Sequence, residues 1–185
     1  FPTRRSSDLL QTVLACKKKI IIAPAANTNM IKNPITQESL RKLKLCNFEI
    51  VSTVTKELVC KDVGDGAMAE PADIFDATCR ELLKDEYWIN RKVVLSGGGT
   101  VEKIDDVRYI SNFSSGKMAT SLATALYYKG AEVCLVSTRG YENLPKEIHL
   151  IKVNSSLEMY ENLKNSIYSI KENHLKNHIY LWLQQ

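Results

Sequence analysis

The sequence has no closely spaced pair of cysteines. Its five, Cys16, Cys46, Cys60, Cys79 and Cys134, are odd in number and far apart, and none forms a C-x-x-C pair. Neither a zinc site nor a disulfide framework is indicated, and the usage fits a reducing cytoplasm. Histidine is scarcer still, with three in 185 residues. His174 and His178 have the i, i+4 spacing of a helical metal pair, but no acidic or cysteine partner accompanies them. They read as a solvated pair in an Asn/Lys-rich stretch, so no metal ligands are assigned. No apolar run approaches the roughly 20 residues that a membrane-spanning helix needs. A large basic face is also missing. The net charge is +4, but Lys and Arg are spread along the chain, and the one tight run, Lys17-Lys18-Lys19, reads as a solvated strand entrance. A nucleic-acid surface would need a broader basic patch with aromatic partners.

What is present is the composition of a soluble globular protein, 44% hydrophobic and 25% charged. Residues 1–9 stand apart. Phe1-Pro2-Thr3-Arg4-Arg5-Ser6-Ser7-Asp8 has no hydrophobic period, and Arg4-Arg5 precedes no apolar signal-peptide core. The stretch matches the direct translation of a common sequencing-adapter oligonucleotide. The expectation is that residues 1–9 are adapter-derived and lie outside the fold; a natural disordered tail is the alternative.

From Leu10 onward strands alternate with helices. The apolar run 19–23 has the composition of a buried parallel strand. Asn33-Pro34 offers an N-cap followed by proline at the first helical position, opening a helix that carries Ile35, Leu40, Leu43 and Leu45. Residues 48–51 are a second strand. A helix restarting at Pro71 is expected to bury Ile74, Phe75, Ala77, Cys79, Leu82 and Leu83. The polar stretch 84–91 is the best linker, and the domain boundary is placed there, giving units 10–88 and 89–185. In the second unit, 92–96, 132–136 and 149–153 read as strands and 116–129 as a helix. Gly130 sits where a left-handed C-cap belongs. Ser155 and Glu158 form a capping box that opens the next helix. The fold class is therefore α/β, with parallel sheets covered on both faces. Two connections, 52–70 and 97–115, far exceed the roughly 2–6 residues usual in such folds. Each is rich in Gly, Asn, Asp and Ser, which points to function.

The second of these loops carries the stronger signal. Gly97, Gly98 and Gly99 follow a strand at its carboxyl end, where open parallel sheets bind ligands. Their spacing fits neither G-x-G-x-x-G nor a P-loop, which disfavours a dinucleotide-binding dehydrogenase. Ser114-Ser115-Gly116 opens a helix and offers N–H groups and hydroxyls to an anion. Lys117 adds charge, and Arg108 offers a planar fork for phosphate or carboxylate. The competing reading of the same residues is a Gly-rich turn followed by a Ser-capped helix.

Residues 96–118 resemble the signature of phosphopantothenate–cysteine ligases, G-G-T-x-E-x-I-D-x-V-R-x-I-x-N-x-S-S-G-x-M. Gly98, Gly99, Thr100, Glu102, Ile104, Asp105, Val107, Arg108, Ile110, Asn112, Ser114, Ser115, Gly116 and Met118 agree with it. The resemblance implies that 4′-phosphopantothenate is activated by CTP as an acyl-cytidylate and then captured by the amine of cysteine. It implicates Asn112 in that capture, where an amide can bond an acyl oxygen as charge develops.

The first unit resembles the carboxy-terminal half of phosphopantothenoylcysteine decarboxylases. Pro24, Ala25, Asn27 and Met30 match the family's P-A-M-N-x-x-M, with Ala26 in place of Met and Ile31 in place of the following Trp. Residues 57–71 match its flap at Leu58, Cys60, Asp62, Gly64, Gly66, Met68 and Pro71, while Val59, Lys61 and Ala67 depart from it. The resemblance implies FMN as cofactor, Asn27 as the group that binds the substrate carboxylate, and Cys60 as the proton donor. A thiol on a Gly-bracketed flap suits that role once water is excluded.

Together the two resemblances imply two incomplete Rossmann-like three-layer units, flavoprotein-type then ligase-type, from a bifunctional enzyme of coenzyme A biosynthesis truncated at both ends. They imply Mg2+ alongside CTP, a cytoplasmic homo-oligomer, and no nucleic-acid or membrane partner. Residues 138–147 lack the family's Gly-Pro loop. At the end of the chain Ile179-Tyr180-Leu181 reads as a strand that residues 182–185 do not continue. One inserted base restores the family's Ala-rich turn there, so 182–185 are expected to be a frameshift artefact. The rival from another class is a non-catalytic regulatory module of the same flavoprotein fold, which the signature at 97–118 opposes.

Overall fold

A computed structural model describes residues 4–57, 63–140, 143–172 and 178–181. Cys60, His174 and residues 182–185 lie outside the described residues. The chain divides into two compact units, 1–78 and 79–185. The division falls inside a helix, ahead of the polar stretch 84–91.

In the first unit, α1 (Arg4–Ala15) begins within the residues read as adapter-derived. Once a turn is nucleated each added residue costs little, so the helix runs back through Ser6-Ser7. Its Leu9, Leu10 and Leu14 are exposed. The apolar run that follows gives β1 (Ile21–Ile22). Asn27 caps α2 (Thr28–Lys32) by accepting the Asn29 N–H at 2.9 Å. Asn33 caps α3 (Pro34–Leu45) by accepting the Ile35 N–H at 2.9 Å, with Pro34 in the first turn. β2 (Glu49–Ile50) pairs in parallel with β1, Ile21 opposite Glu49. The long connection 52–70 is not irregular. It forms an antiparallel hairpin of β3 (Val54–Glu57) and β4 (Val63–Ala67), with a register shift between Val54 and Lys56. α4 (Pro71–Leu83) then leads into the second unit.

Burial in this unit departs from the periodicity. α3 and α4 bury no residue, and Ile35, Leu45, Phe75, Leu82 and Leu83 are all exposed. The cause is the narrowness of the sheets. β1–β2 and β3–β4 are two-stranded ribbons, too small to give an amphipathic helix a face to cover. The run 19–23 is correspondingly half-buried rather than fully enclosed.

The second unit has the layered form expected. β5 (Lys92–Gly97), β8 (Glu132–Ser137), β9 (His149–Lys152) and β10 (His178–Leu181) form one parallel sheet in the order β10-β5-β8-β9. Between β5 and β8 the chain inserts the hairpin β6 (Val101–Lys103) and β7 (Tyr109–Ser111), then α5 (Lys117–Tyr128). Between β9 and β10 it inserts α6 (Ser156–Glu172). Alternation along the strands separates two cores. Val93, Leu95, Val133 and Leu135 pack against Ala119, Ala123, Leu126 and Tyr127 of α5. Val94, Val136 and Val153 pack on the other face against Leu163 and Met159 of α6. Met118, which the helical period places on one stripe with Leu122 and Leu126, is exposed. The fold is α/β and Rossmann-like. Among the described residues no helix is long and apolar enough to cross a membrane.

Candidate active sites

In the first unit the loop after β1 carries Pro24, Ala25 and Asn27, and Met30 follows on α2 with its side chain exposed. The structure sets this loop against the base of the hairpin. The Ala26 N–H donates to the Gly66 carbonyl at 2.9 Å. The Ala26 carbonyl in turn occupies the space that a side chain at position 66 would need. A second tie lies beside it. Asp65 accepts from the Thr55 hydroxyl at 2.7 Å and pairs with Lys32 Nζ at 2.5 Å. The Lys32 ammonium, with help from Thr55, holds the Asp65 carboxyl below the usual carboxylate range. The two decarboxylase-like motifs, separate in sequence, thus meet at one place; the tip that carries Cys60 is outside the described residues. Asp65 and Lys32 escaped the sequence reading because neither lies at a motif position. The opposite charges, each one residue from a motif residue, are the only sign they gave.

A cleft of about 620 Å³ lies nearby, lined by Pro24, Ile31, Pro34, Gln37, Leu40, Arg41, Lys44 and residues 50–53. That volume is within the usual range for small-molecule sites. The Gln37 side-chain amide donates to the Ile31 carbonyl at 2.6 Å, and Arg41 Nε bonds Glu38 at 2.8 Å, which fixes part of the rim.

In the second unit Gly97, Gly98 and Gly99 lie at the carboxyl end of β5. β5 has β8 on one side and β10 on the other, so the loop sits where the strand order reverses, the position at which such sheets bind ligands. The space left by the missing side chains is taken up by the protein itself. Gly97 packs on Ala119, Gly98 adopts φ +85° beside Thr138, and Gly99 lies under the Asn112 backbone carbonyl. The Thr138 hydroxyl is buried there without a hydrogen-bond partner. Asn112 is exposed, and its contact with Gly99 closes the long loop on itself.

Arg108 is not presented as an open fork. Asp105 Oδ2 accepts from its Nε at 2.7 Å and lies 2.6 Å from Nη2. Asp105 Oδ1 accepts the N–H groups of Val107 at 2.9 Å and Arg108 at 2.7 Å. The guanidinium holds the Asp105 carboxyl low. A four-residue turn places the two side chains together, so the pair satisfies itself locally. Ser114 and Ser115 lead into Gly116, which caps α5 in the left-handed region, φ 69°, with no side-chain hydrogen bond. Lys117 opens the helix and is exposed. Thr100 Oγ1 is 3.3 Å from Ser156 Oγ, at the amino end of α6. Glu102, which carries no assigned role in the sequence reading, accepts the Ser156 N–H at 2.6 Å and the Ser156 hydroxyl.

The flavoprotein family matches residues 6–83, and the family described as the DNA/pantothenate metabolism flavoprotein C-terminal domain matches residues 88–172. The bifunctional coenzyme A biosynthesis protein CoaBC of Vibrio vulnificus (strain YJ016) is 38% identical over 156 residues, covering 84% of this chain. Over these residues the chain is CoaBC-like. It spans 39% of the length of that relative. A cysteine/cysteine sulfinic acid decarboxylase from an unknown prokaryotic organism is 35% identical over 158 residues, covering 83% of this chain and 44% of that one. A solved C-terminal domain of CoaBC is 29% identical, with a TM-score of 0.46 over 54% of this chain and 47% of that chain. Both candidate sites of this CoaBC-like chain fall within the matched residues.

Proposed function

We propose that the first unit is part of an FMN-dependent decarboxylase of 4′-phosphopantothenoylcysteine, and the second part of a ligase that joins 4′-phosphopantothenate to cysteine using CTP. Together the two steps give 4′-phosphopantetheine. The observation that carries the reading is the junction of Ala26 with Gly66, which brings the Asn27 loop to the root of the Cys60 flap. The neighbouring cleft supports it, since its lining combines apolar Ile31, Leu40, Ile50 and Val51 with the cationic Arg41 and Lys44. A bound flavin supplies oxidation of the substrate thiol, which creates the electron sink for loss of the β-carboxylate as CO2. The Asn27 side-chain amide, whose Oδ1 accepts the Asn29 N–H, binds the substrate carboxylate in this reading. Cys60 delivers the proton in the reductive step.

In the second unit the amino end of α5, with Gly116 at its N-cap, supports anion binding, with Lys117 adding charge. Gly97, Gly98, Gly99, Thr100, Ser114 and Ser115 form the wall around it, and Asn112 faces the acyl group. Arg108 reaches a substrate only by leaving Asp105. Among the described residues no group of three His, Cys, Asp or Glu converges to hold a metal ion. Mg2+ is thus proposed as the companion of the CTP phosphates, since it keeps most of its ligands as water and phosphate oxygen. The cysteine usage supports a cytoplasmic setting, and the intact protein is proposed to be a homo-oligomer.

One comparison favours a second reading. The relative named as a cysteine/cysteine sulfinic acid decarboxylase suggests a first unit that takes a smaller cysteine-derived acid. A chimera separates the two. Residues 10–172 would replace the matched segment of the Vibrio vulnificus protein. The expected product is a yellow protein that releases CO2 from 4′-phosphopantothenoylcysteine and consumes CTP with cysteine and 4′-phosphopantothenate. Release of CO2 from cysteine sulfinate alone, without CTP consumption, would overturn the proposal in favour of the second reading. The 185-residue chain by itself is expected to bind flavin poorly and to catalyse neither step.

A further inference from the structure

We infer that Glu102 is a latch that fastens the β6–β7 hairpin to the amino end of α6 and so sets where Asn112 stands beside Gly99. The hairpin has little else to hold it. Ile104, Val107, Tyr109, Ile110 and Phe113 are all exposed, so no apolar core fixes its position. At its base, however, the contacts are specific. The Glu102 carboxylate accepts the Ser156 N–H at 2.6 Å and the Ser156 hydroxyl, and the Val101 N–H donates to the Asn154 carbonyl at 2.8 Å. A carboxylate at a helix amino end meets unpaired N–H groups and the positive end of the helix dipole.

The local capping box does not serve this amide. Ser155 Oγ accepts the Glu158 N–H at 3.2 Å, and the Glu158 carboxylate returns to the Asn154 N–H at 2.7 Å. The Ser156 N–H is left to Glu102, from another part of the chain. α6 is a firm anchor because Met159 and Leu163 pack into the sheet core. The effect then passes along the ladder. Glu102 lies opposite Ile110, two residues before Asn112, whose carbonyl rests on Gly99. Glu102 is thus a positioning residue. The weight given to Asn112 rests on the ligase reading, but the contact itself does not.

The test uses the full 185-residue chain without ligand, followed by amide exchange and by the side-chain amide resonance of Asn112. Glu102→Ala is expected to speed exchange at Val101 and Ile104 by about tenfold, the scale of one charge-assisted hydrogen bond, and to shift the Asn112 resonance. The amides of β5 and β8 should keep their protection. Glu102→Gln retains an acceptor and should restore most of the native Asn112 signal, and Ser156→Ala should loosen the hairpin by a smaller factor. An unmoved Asn112 resonance in Glu102→Ala, or loosening shared equally by β5 and β8, would overturn the latch. If Glu102→Ala does not fold, the same comparison between Glu102→Gln and Ser156→Ala decides it. A chimera that fails to consume CTP counts against the ligase reading and leaves the latch untouched.

Discussion

At Gly66 the backbone oxygen of Ala26 stands where a Cβ would go. Any side chain there must push the flap base away from the Asn27 loop. Gly66→Ala is expected to cost about 1–3 kcal/mol, the range for forced overpacking, and to release the Ala26–Gly66 hydrogen bond; urea melts and exchange at the Ala26 amide would check it. The neighbouring Asp65 gives this junction a pH dependence. Its carboxyl is held low, first by Lys32 and then by Thr55. A depressed folded value means that the tie is in place above the unfolded carboxylate value and is lost as pH falls through the folded one. The junction should therefore be intact at neutral pH and loosen only in acid below the ordinary carboxylate range. Lys32→Met should move the Asp65 titration back up toward that range, as carboxyl NMR would record. A titration unmoved by the substitution would mean that Lys32 contributes nothing.

At the scale of elements, the end of α5 shows how far the sequence reaches. Gly130 was legible as a left-handed cap, and it has φ +105°. The capping box at 155–158, the four strands 92–97, 132–137, 149–152 and 178–181, and the start of α3 at Pro34 were legible for the same reason: each is written in adjacent residues. The two hairpins were not. β7 is exposed at every position, so no face is buried and no alternation is imprinted on its sequence. Their stability comes from distant partners, Ala26 for one and Asn154 and Ser156 for the other. Arg108 is paired rather than open because its partner, Asp105, is three residues away and needs no fold to find it. Arg80 is the converse, a residue with no motif that closes an element from afar. Its guanidinium donates to the carbonyls of Ala131 and Gly130 at 2.9 Å each, also to that of Tyr127, and lies 4.4 Å over the Tyr127 ring. Arg80→Ala is expected to destabilise the second unit by about 2–4 kcal/mol, since three carbonyls lose a charged donor and one cation–π contact goes with them. Arg80→Lys should recover only a minor part, because an ammonium cannot span the fork. A denaturation midpoint unchanged in Arg80→Ala would refute this role.

At the scale of the molecule, these contacts bear on where the second folding unit begins. The polar composition of residues 84–91 marks them as a linker, and the family match to the second unit starts at residue 88. The packing starts earlier. Arg80 caps α5, the Asp85 N–H donates to the Lys129 carbonyl at 2.9 Å, Ile89 packs over Gly130, and Trp88 lies against the core of Val93, Leu95 and Ala123. Lys84, Asp85 and Arg91 give the stretch its polar composition as surface groups, while its backbone and two apolar side chains are engaged. We therefore propose that the second unit folds as residues 79–185 and that the last turn of α4 belongs to it. A polypeptide of 79–185 should unfold cooperatively, and one of 89–185 should be less stable by about 3–5 kcal/mol, the loss of the partly buried Trp88 together with the Arg80 bonds. Parallel urea titrations followed by far-ultraviolet circular dichroism would measure the difference. Equal midpoints for the two would place the start of the unit at residue 89, and would make the engagement of residues 79–88 incidental.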